Sequence, residues 1–359
     1  MRFDVPFLPE PGYARFLSER DEQLESVHFG LGSHLLPDAR PRLKLAQALD
    51  VVENLNRVFG PDKYLLLNAC FHDERQYRDS AHLKAVTDLL RQLLEGAELT
   101  GVVFVDPYML RALHDHSPSL CSMLEAVPSV NCMLDHEEKV AAYLRVVDES
   151  GFRRPARVIL DRSLNRRPRE LERVVQACRS RFHGLRLGLL ANEGCLPHCP
   201  YKRTHDALIA LGHLPGQGDR TFGVNRDLGC IRTILEAPER IFSSPFIRPE
   251  DVVDFEGMVD LIKVCGRERG GVDFLRRAVS AYLSGEYSGN LLSILDTLGE
   301  FEARFYVPNQ DLPADLHHRL CTCSGDCRAC GWCAELYHEL VREQDMGMLA
   351  DLRATQARS

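Results

Sequence analysis

No stretch of this 359-residue chain approaches the ~20 apolar residues needed to span a bilayer. The start, Met1-Arg2-Phe3-Asp4-Val5-Pro6, is too short in apolar length for a secretory leader and is broken by Asp4 and Pro6. Together these absences lead us to expect a cytoplasmic protein with no membrane span. The chain also lacks a positive field. A net charge of −8 offers nucleic acid nothing global to be drawn to, although Arg153, Arg154, Arg157, Arg162, Arg166 and Arg167 crowd one region. There is no internal repeat and no low-complexity tract. Three catalytic signatures are missing too. No His-Glu-x-x-His helix and no Gly-x-Ser-x-Gly elbow occur, and Gly285 to Gly289 lacks the Gly-Lys-Ser/Thr ending of a phosphate loop.

What the chain does have is cysteine, 13 residues of it. In a reducing compartment these do not imply a disulfide framework; they point to metal, cluster or redox chemistry. Cys70, Cys121, Cys132 and Cys178 stand alone among apolar residues and read as small core hydrophobes. The others group. Asn192-Glu193-Gly194-Cys195-Leu196-Pro197-His198-Cys199-Pro200 follows the apolar run Leu187 to Ala191, with Cys230 and Cys265 further on. Near the C-terminus, five thiols lie between Cys321 and Cys333. Thiolates are soft ligands suited to zinc or iron–sulfur clusters.

Short apolar runs alternate with amphipathic segments. Strand candidates are Val27–Leu31, Tyr64–Leu67, Val102–Val105, Ser129–Leu134, Arg157–Leu160, Arg186–Leu190, Arg240–Ser243 and Leu261–Val264. Helical spacing is clearest at Leu83, Val86, Leu90 and Leu93, and further helices are expected over Glu137–Val147, Pro168–Phe182 and Arg248–Met258. Strands alternating with helices predict parallel βα units, and eight is the number that closes a (βα)8 TIM-like barrel. An open doubly wound sheet is the alternative. The barrel is expected over residues 1–305, with a cysteine-rich C-terminal appendage over 306–359 ending in a helix. Active sites of such barrels lie at the C-terminal strand ends. There Asn68, Asp106, Asp135, Asp161, Asn192, Glu193 and Cys265 follow strand candidates directly. Glu193 as a general acid, His205 beside the cysteine loop, and Lys263 as an anion-binding group are the catalytic candidates.

In the appendage, Cys327-x2-Cys330-x2-Cys333 resembles the run that wraps a ferredoxin-type cluster. Cys323 is the natural fourth ligand and Cys321 its competitor. A second iron–sulfur cluster or a zinc ion is expected there.

From Leu190 to Arg267 the chain resembles peptidase family U32, the collagenase-like peptidases. That family includes the accessory proteins of oxygen-independent ubiquinone hydroxylation and proteins of tRNA and ribosomal RNA hydroxylation. The segments that carry the likeness are Asn192 to Cys199, Asp227-Leu228-Gly229-Cys230, and Asp260-Leu261-Ile262-Lys263-Val264-Cys265-Gly266-Arg267. The resemblance implies a 4Fe-4S cluster held in the barrel by four cysteines, with Cys195, Cys199 and Cys230 on matching positions. The family's usual cysteine ahead of the Asn-x-Gly segment is missing here, and Cys265 stands where the family usually has Glu. Either Cys265 replaces the missing ligand or one iron is left open. The implied activity is an oxidoreductase- or hydroxylation-related enzyme acting on a small molecule or a modified RNA base. The rival readings are a non-catalytic electron-relay or scaffold protein that docks a redox partner, and a zinc-dependent peptidase or hydrolase.

Overall fold

The computed structural model describes residues 1–32, 35–39, 48–218, 220–267 and 271–344. Eight parallel strands form one sheet: β1 (Arg2–Pro6), β2 (Leu24–Phe29), β3 (Asp62–Leu67), β4 (Gly101–Phe104), β5 (Glu125–Pro128), β6 (Arg157–Ile159), β7 (Arg186–Leu190) and β8 (Leu261–Lys263). Each pairs with its sequence neighbour from β1 to β5 and from β6 to β8, and β1 pairs with β8. Beside β5, a parallel bridge joins Glu125 to Arg153, and the Ala126 N–H donates to the Arg153 carbonyl at 3.3 Å. This brings the end strands β5 and β6 together and closes the ring into a (βα)8 TIM-like barrel.

Strand side chains alternate between the two faces of the sheet. Phe3 and Val5 of β1, Val27 and Phe29 of β2, and Leu65 and Leu67 of β3 belong to the large outer core that the helices cover. Between them, Asp4, His28 and Tyr64 face inward. The barrel interior holds two small apolar groups. Tyr64, Leu66, Val103 and Val127 form one; Ile159, Leu190, Leu261 and Cys265 form the other. Gly188 on β7 lets the strands approach closely, because a Cβ there would lie 2.8 Å from the Leu261 carbonyl.

The helices follow the sequence pattern where burial is one-sided. Ser80–Ala97 buries Leu83, Val86, Leu90 and Leu93 at the expected spacing, and Asp79 caps it by accepting from Ala81 N–H at 2.9 Å. Glu137–Glu149 and Pro168–Arg181 also form. Arg248–Met258 does not become an α-helix; Pro249–Phe255 is a 3-10 stretch.

Three strand expectations are corrected. The first strand is Arg2–Pro6, hidden in the sequence because Asp4 interrupts its apolar character. The fifth strand is Glu125–Pro128, and Ser129–Leu134 is the loop after it, with a 3-10 turn over Val130–Cys132. Arg240–Ser243 is no strand: Pro238–Ile241 is a 3-10 turn whose Ile241 is buried in the outer core. The cysteine loop therefore follows β7, and a helical insertion (Lys202–Gly212, Thr221–Leu228, Cys230–Glu236) separates it from β8.

The C-terminal segment is tied to the barrel. Phe305–Tyr306 (β9) pairs antiparallel with Arg342–Glu343 (β10). Between them, helix Leu316–Cys321 packs on the Arg162–Arg166 turn after β6, and helix Trp332–Leu340 packs on Pro238–Ile241. Among the described residues the last helix is Trp332–Leu340.

Candidate functional site

The loop after β7 is sewn into place by one buried side chain. Asn192 is fully buried. Its Nδ2 donates to the Cys265 carbonyl at 2.9 Å and to the Ile294 carbonyl at 3.1 Å, and its Oδ1 accepts from the Cys265 N–H at 2.8 Å. The Asp296 N–H donates to the Asn192 carbonyl at 2.7 Å, and the Gly194 N–H donates to Thr297 Oγ1 at 2.9 Å. Segments about a hundred residues apart are thereby held in one register at the C-terminal end of the barrel.

Within the barrel mouth lies a cavity of about 60 Å³. Glu193 and Lys263, two of the sequence candidates, line it, as do Cys265, Asp4, His28 and Arg157. His205 is not among the lining residues; it sits on the helix Lys202–Gly212 of the insertion, half-buried. Inside the cavity the polar groups interlock. Lys263 Nζ donates to Asp4 Oδ2 at 2.7 Å, and the guanidinium of Arg157 stands 3.2 Å from the same oxygen. Asp4 Oδ1 accepts from Ser26 Oγ at 3.1 Å. His28 Nδ1 lies 2.8 Å from Asp4 Oδ1 and 2.9 Å from Lys263 Nζ, so it either donates to the carboxylate or accepts from the ammonium. Arg157 also stacks over the ring of Tyr64 at 4.3 Å, and Tyr64 donates to Glu125 at 2.8 Å.

These contacts set the charge states. Asp4 is buried, which opposes ionisation, but Arg157, Lys263 and His28 hold its carboxyl well below the usual range. Burial, aided by the charge of Lys263, pushes His28 down to about 3, so its imidazole is neutral at physiological pH. Burial also lowers Lys263, against the pull of Asp4.

The cysteine loop adjoins this cavity through one residue. Arg162 places Nη1 3.5 Å from Cys195 Sγ, pairs with Glu193, and reaches Asn131 Oδ1 at 3.4 Å. Both Glu193 and Asn131 line the cavity. Burial raises the Cys195 thiol; Arg162 and Lys202 draw it down, and Cys199 and Cys230 nearby push it up. The three thiols are thus near enough to feel one another's charge. The Cys265 thiol is set against Asn192 Oδ1 at 3.3 Å and Asp296 Oδ2 at 3.2 Å. In the appendage, burial pushes the Cys333 thiol up to about 11, and Cys327, Cys323 and Cys330 add to the shift. Cys323, Cys327 and Cys330 are exposed. Cys321 Sγ lies 3.2 Å from His317 Nε2. Among the described residues, no three or more His, Cys, Asp and Glu side chains are placed so that they could hold a metal ion as they stand.

Two features escaped the sequence reading. Arg157 looked like one of a run of surface arginines, yet it is 1% exposed at the heart of the barrel. His72 had no motif around it. Its Nδ1–H donates to Asp106 Oδ2 at 2.8 Å, that oxygen also accepts from Tyr77 at 2.6 Å, and His72 Nε2 is buried without a hydrogen-bond partner among the described residues. The signal available was only Asp106, directly after a strand.

The sequence segments that meet here, Asn192–Cys199, Cys230 and Leu261–Arg267, are those that carry the family likeness. Over 252 residues the chain is 27% identical to an uncharacterized protease of Methanocaldococcus jannaschii, covering 69% of this chain and 68% of that protein. The structure of a U32 peptidase matches with a TM-score of 0.46 and 17% identity, over 74% of this chain and 93% of that one. No protein-family model matches the sequence. Asn192 and Cys265 join two of those segments directly, and Arg162 contacts Cys195 beside them.

Proposed function

We propose that this chain is an iron–sulfur enzyme of U32 type, in which Cys195, Cys199 and Cys230 hold a 4Fe-4S cluster beside the barrel cavity. Its reaction is oxidoreductive or hydroxylating, on a small molecule or a modified RNA base. The observation that carries this reading is Arg162, which contacts both Cys195 and the cavity residue Glu193. The donor chemistry fits: three neighbouring soft thiols, with the cations Arg162 and Lys202 beside them to balance the negative charge of a thiolate-bound cluster. Holding the cluster requires the three side chains to close up from their present positions. With Cys265 engaged by Asn192 and Asp296, a three-thiolate site is the better match. When bound, such a cluster supplies electron transfer, or Lewis acidity at an iron without a protein ligand. The chain's own residues bind and orient the substrate. Lys263 and Arg157 present positive charge, and Glu193 holds a carboxyl at the cavity wall. His28, neutral, adds a hydrogen-bonding ring to the wall.

In the appendage, Cys323, Cys327 and Cys330 are near enough for their charges to act on Cys333, and the four are proposed to hold a second cluster or a zinc ion. A redox partner protein would dock near it.

One observation favours a hydrolytic reading: the relative from M. jannaschii carries the name protease. One experiment separates the two. Anaerobically purified protein is expected to be brown, with a broad band near ~400 nm and iron matched by sulfide. Replacing Cys195, Cys199 or Cys230 by Ser should each remove the iron of one cluster, and Cys265→Ser tests a fourth thiolate. Colourless protein with stoichiometric zinc would sink the cluster and leave the hydrolase.

A further inference from the structure

The barrel cavity has an imbalance of charge. Two cations, Arg157 and Lys263, converge on a single carboxylate oxygen, Asp4 Oδ2. The other ions of the cavity wall are matched in pairs, Arg267 with Asp38 and Arg162 with Glu193. His28 adds no charge at neutral pH. The lining therefore carries one positive charge in excess. A buried charge that is not compensated is costly, and proteins either pair it or neutralise it.

Arg157 shows where the compensation is missing. It is 1% exposed; its Nη1 faces Asp4 Oδ2 at 3.2 Å, and its Nε is buried with no hydrogen-bond partner among the described residues. Most buried polar groups are satisfied, so an unpartnered guanidinium N–H on a cavity wall marks the place of a bound acceptor. The planar fork of arginine matches a carboxylate with two parallel hydrogen bonds. Leu66, Val103, Val127, Ile159 and Leu190 give the wall an apolar stretch, with Asn68, Ser129 and Asn131 beside it. A dianionic phosphate would overcompensate one excess charge and gain nothing from the apolar stretch.

From this geometry we infer that the cavity binds a compact monocarboxylate, its carboxylate on Arg157 and Lys263 and its carbon skeleton against the apolar wall. This rests on the cavity being the substrate site, and it names the substrate's class.

The test uses the full chain, titrated calorimetrically with acetate, propionate and inorganic phosphate, alongside a Cys195→Ser variant. The expected result is saturable binding of one acetate or propionate per chain, tighter for propionate, with phosphate weaker than both. Arg157→Gln should lose roughly 10- to 100-fold in affinity, the worth of a charge-assisted hydrogen bond. No saturable binding of either carboxylate overturns the inference, as does tighter binding of phosphate or unchanged affinity in Arg157→Gln. Should that variant not fold, hydrogen–deuterium exchange on the unaltered chain decides. Propionate must protect Pro128–Asn131 and Lys263–Arg267, and protection confined elsewhere overturns the assignment. Binding that survives in Cys195→Ser separates the two readings: metal analysis then tests the cluster while the carboxylate site stands. Binding lost there, with the fold intact, places the anion on the cysteines and overturns this inference.

Discussion

Asn192 grips the backbone of Cys265 from both directions, accepting from its N–H at 2.8 Å and donating to its carbonyl at 2.9 Å. An asparagine side chain has the same donor–acceptor pair as a peptide group, so it extends the pairing of β7 and β8 one step past their ends. This is why the Asn sits directly after an apolar strand and directly before the cysteine loop.

Asn192→Ala should therefore cost about 2–4 kcal/mol, because it strands two or more buried backbone groups without partners. Urea unfolding of metal-free protein measures it. A loss below ~1 kcal/mol would show that the loop is held by its other contacts.

Stability should fall with acid in a defined window. His28 binds its proton at 6.5 when unfolded and only at about 3 when folded, so the unfolded state takes up a proton first. The contribution is fully present above 6.5, begins to be lost as pH drops below that value, and is gone by about 3. Asp4, held well below its ordinary value of 3.8, adds a loss of the same sign lower down. Urea midpoints at intervals from neutral pH to acid should trace this slope, and His28→Gln should make it shallower. A variant with an unaltered slope would assign the acid sensitivity elsewhere.

Replacing Cys327 and Cys330 together by Ser should remove one metal equivalent, or the iron of one cluster, and leave the barrel folded. Structural metal supplies ~10 kcal/mol or more to a site of this kind. Metal analysis and circular dichroism read the two effects. Retention of the full metal content excludes these thiols as ligands. Loss of the barrel's iron as well would make the two cysteine groups one site.

Gly266→Ala should destabilise the cavity rim. Gly266 has a φ of 122°, and an added Cβ would lie 2.2 Å from the ring of Phe274. A cost of about 1–3 kcal/mol is expected from the backbone alone. A melting temperature equal to that of the parent would show that the ring yields and the backbone tolerates the change.

The barrel was legible where a segment's periodicity is set by one buried face. Ser80–Ala97 announces itself through Leu83, Val86, Leu90 and Leu93. β1 was not legible, because its inward residue is Asp4, whose partners come from β2, β6 and β8 and have no mark in the local sequence. Arg240–Ser243 misled for the converse reason: Ile241 and Phe242 are apolar because a 3-10 turn buries them, with no strand involved. At the site, Glu193 and Lys263 were readable as residues at strand ends. Arg157 was not, since its burial depends on what lies across the barrel. His72 likewise gains meaning only beside Asp106.

The short ladder between Phe305–Tyr306 and Arg342–Glu343 makes the cysteine-rich segment a loop stapled at its base. A chain held at both ends does not come away when it is cut once in the middle. A protease that nicks the exposed stretch around Ser324–Asp326 would leave two polypeptides travelling as a single particle in native solution, separating only on denaturation. Scission there and detachment of the appendage are distinct events in this architecture.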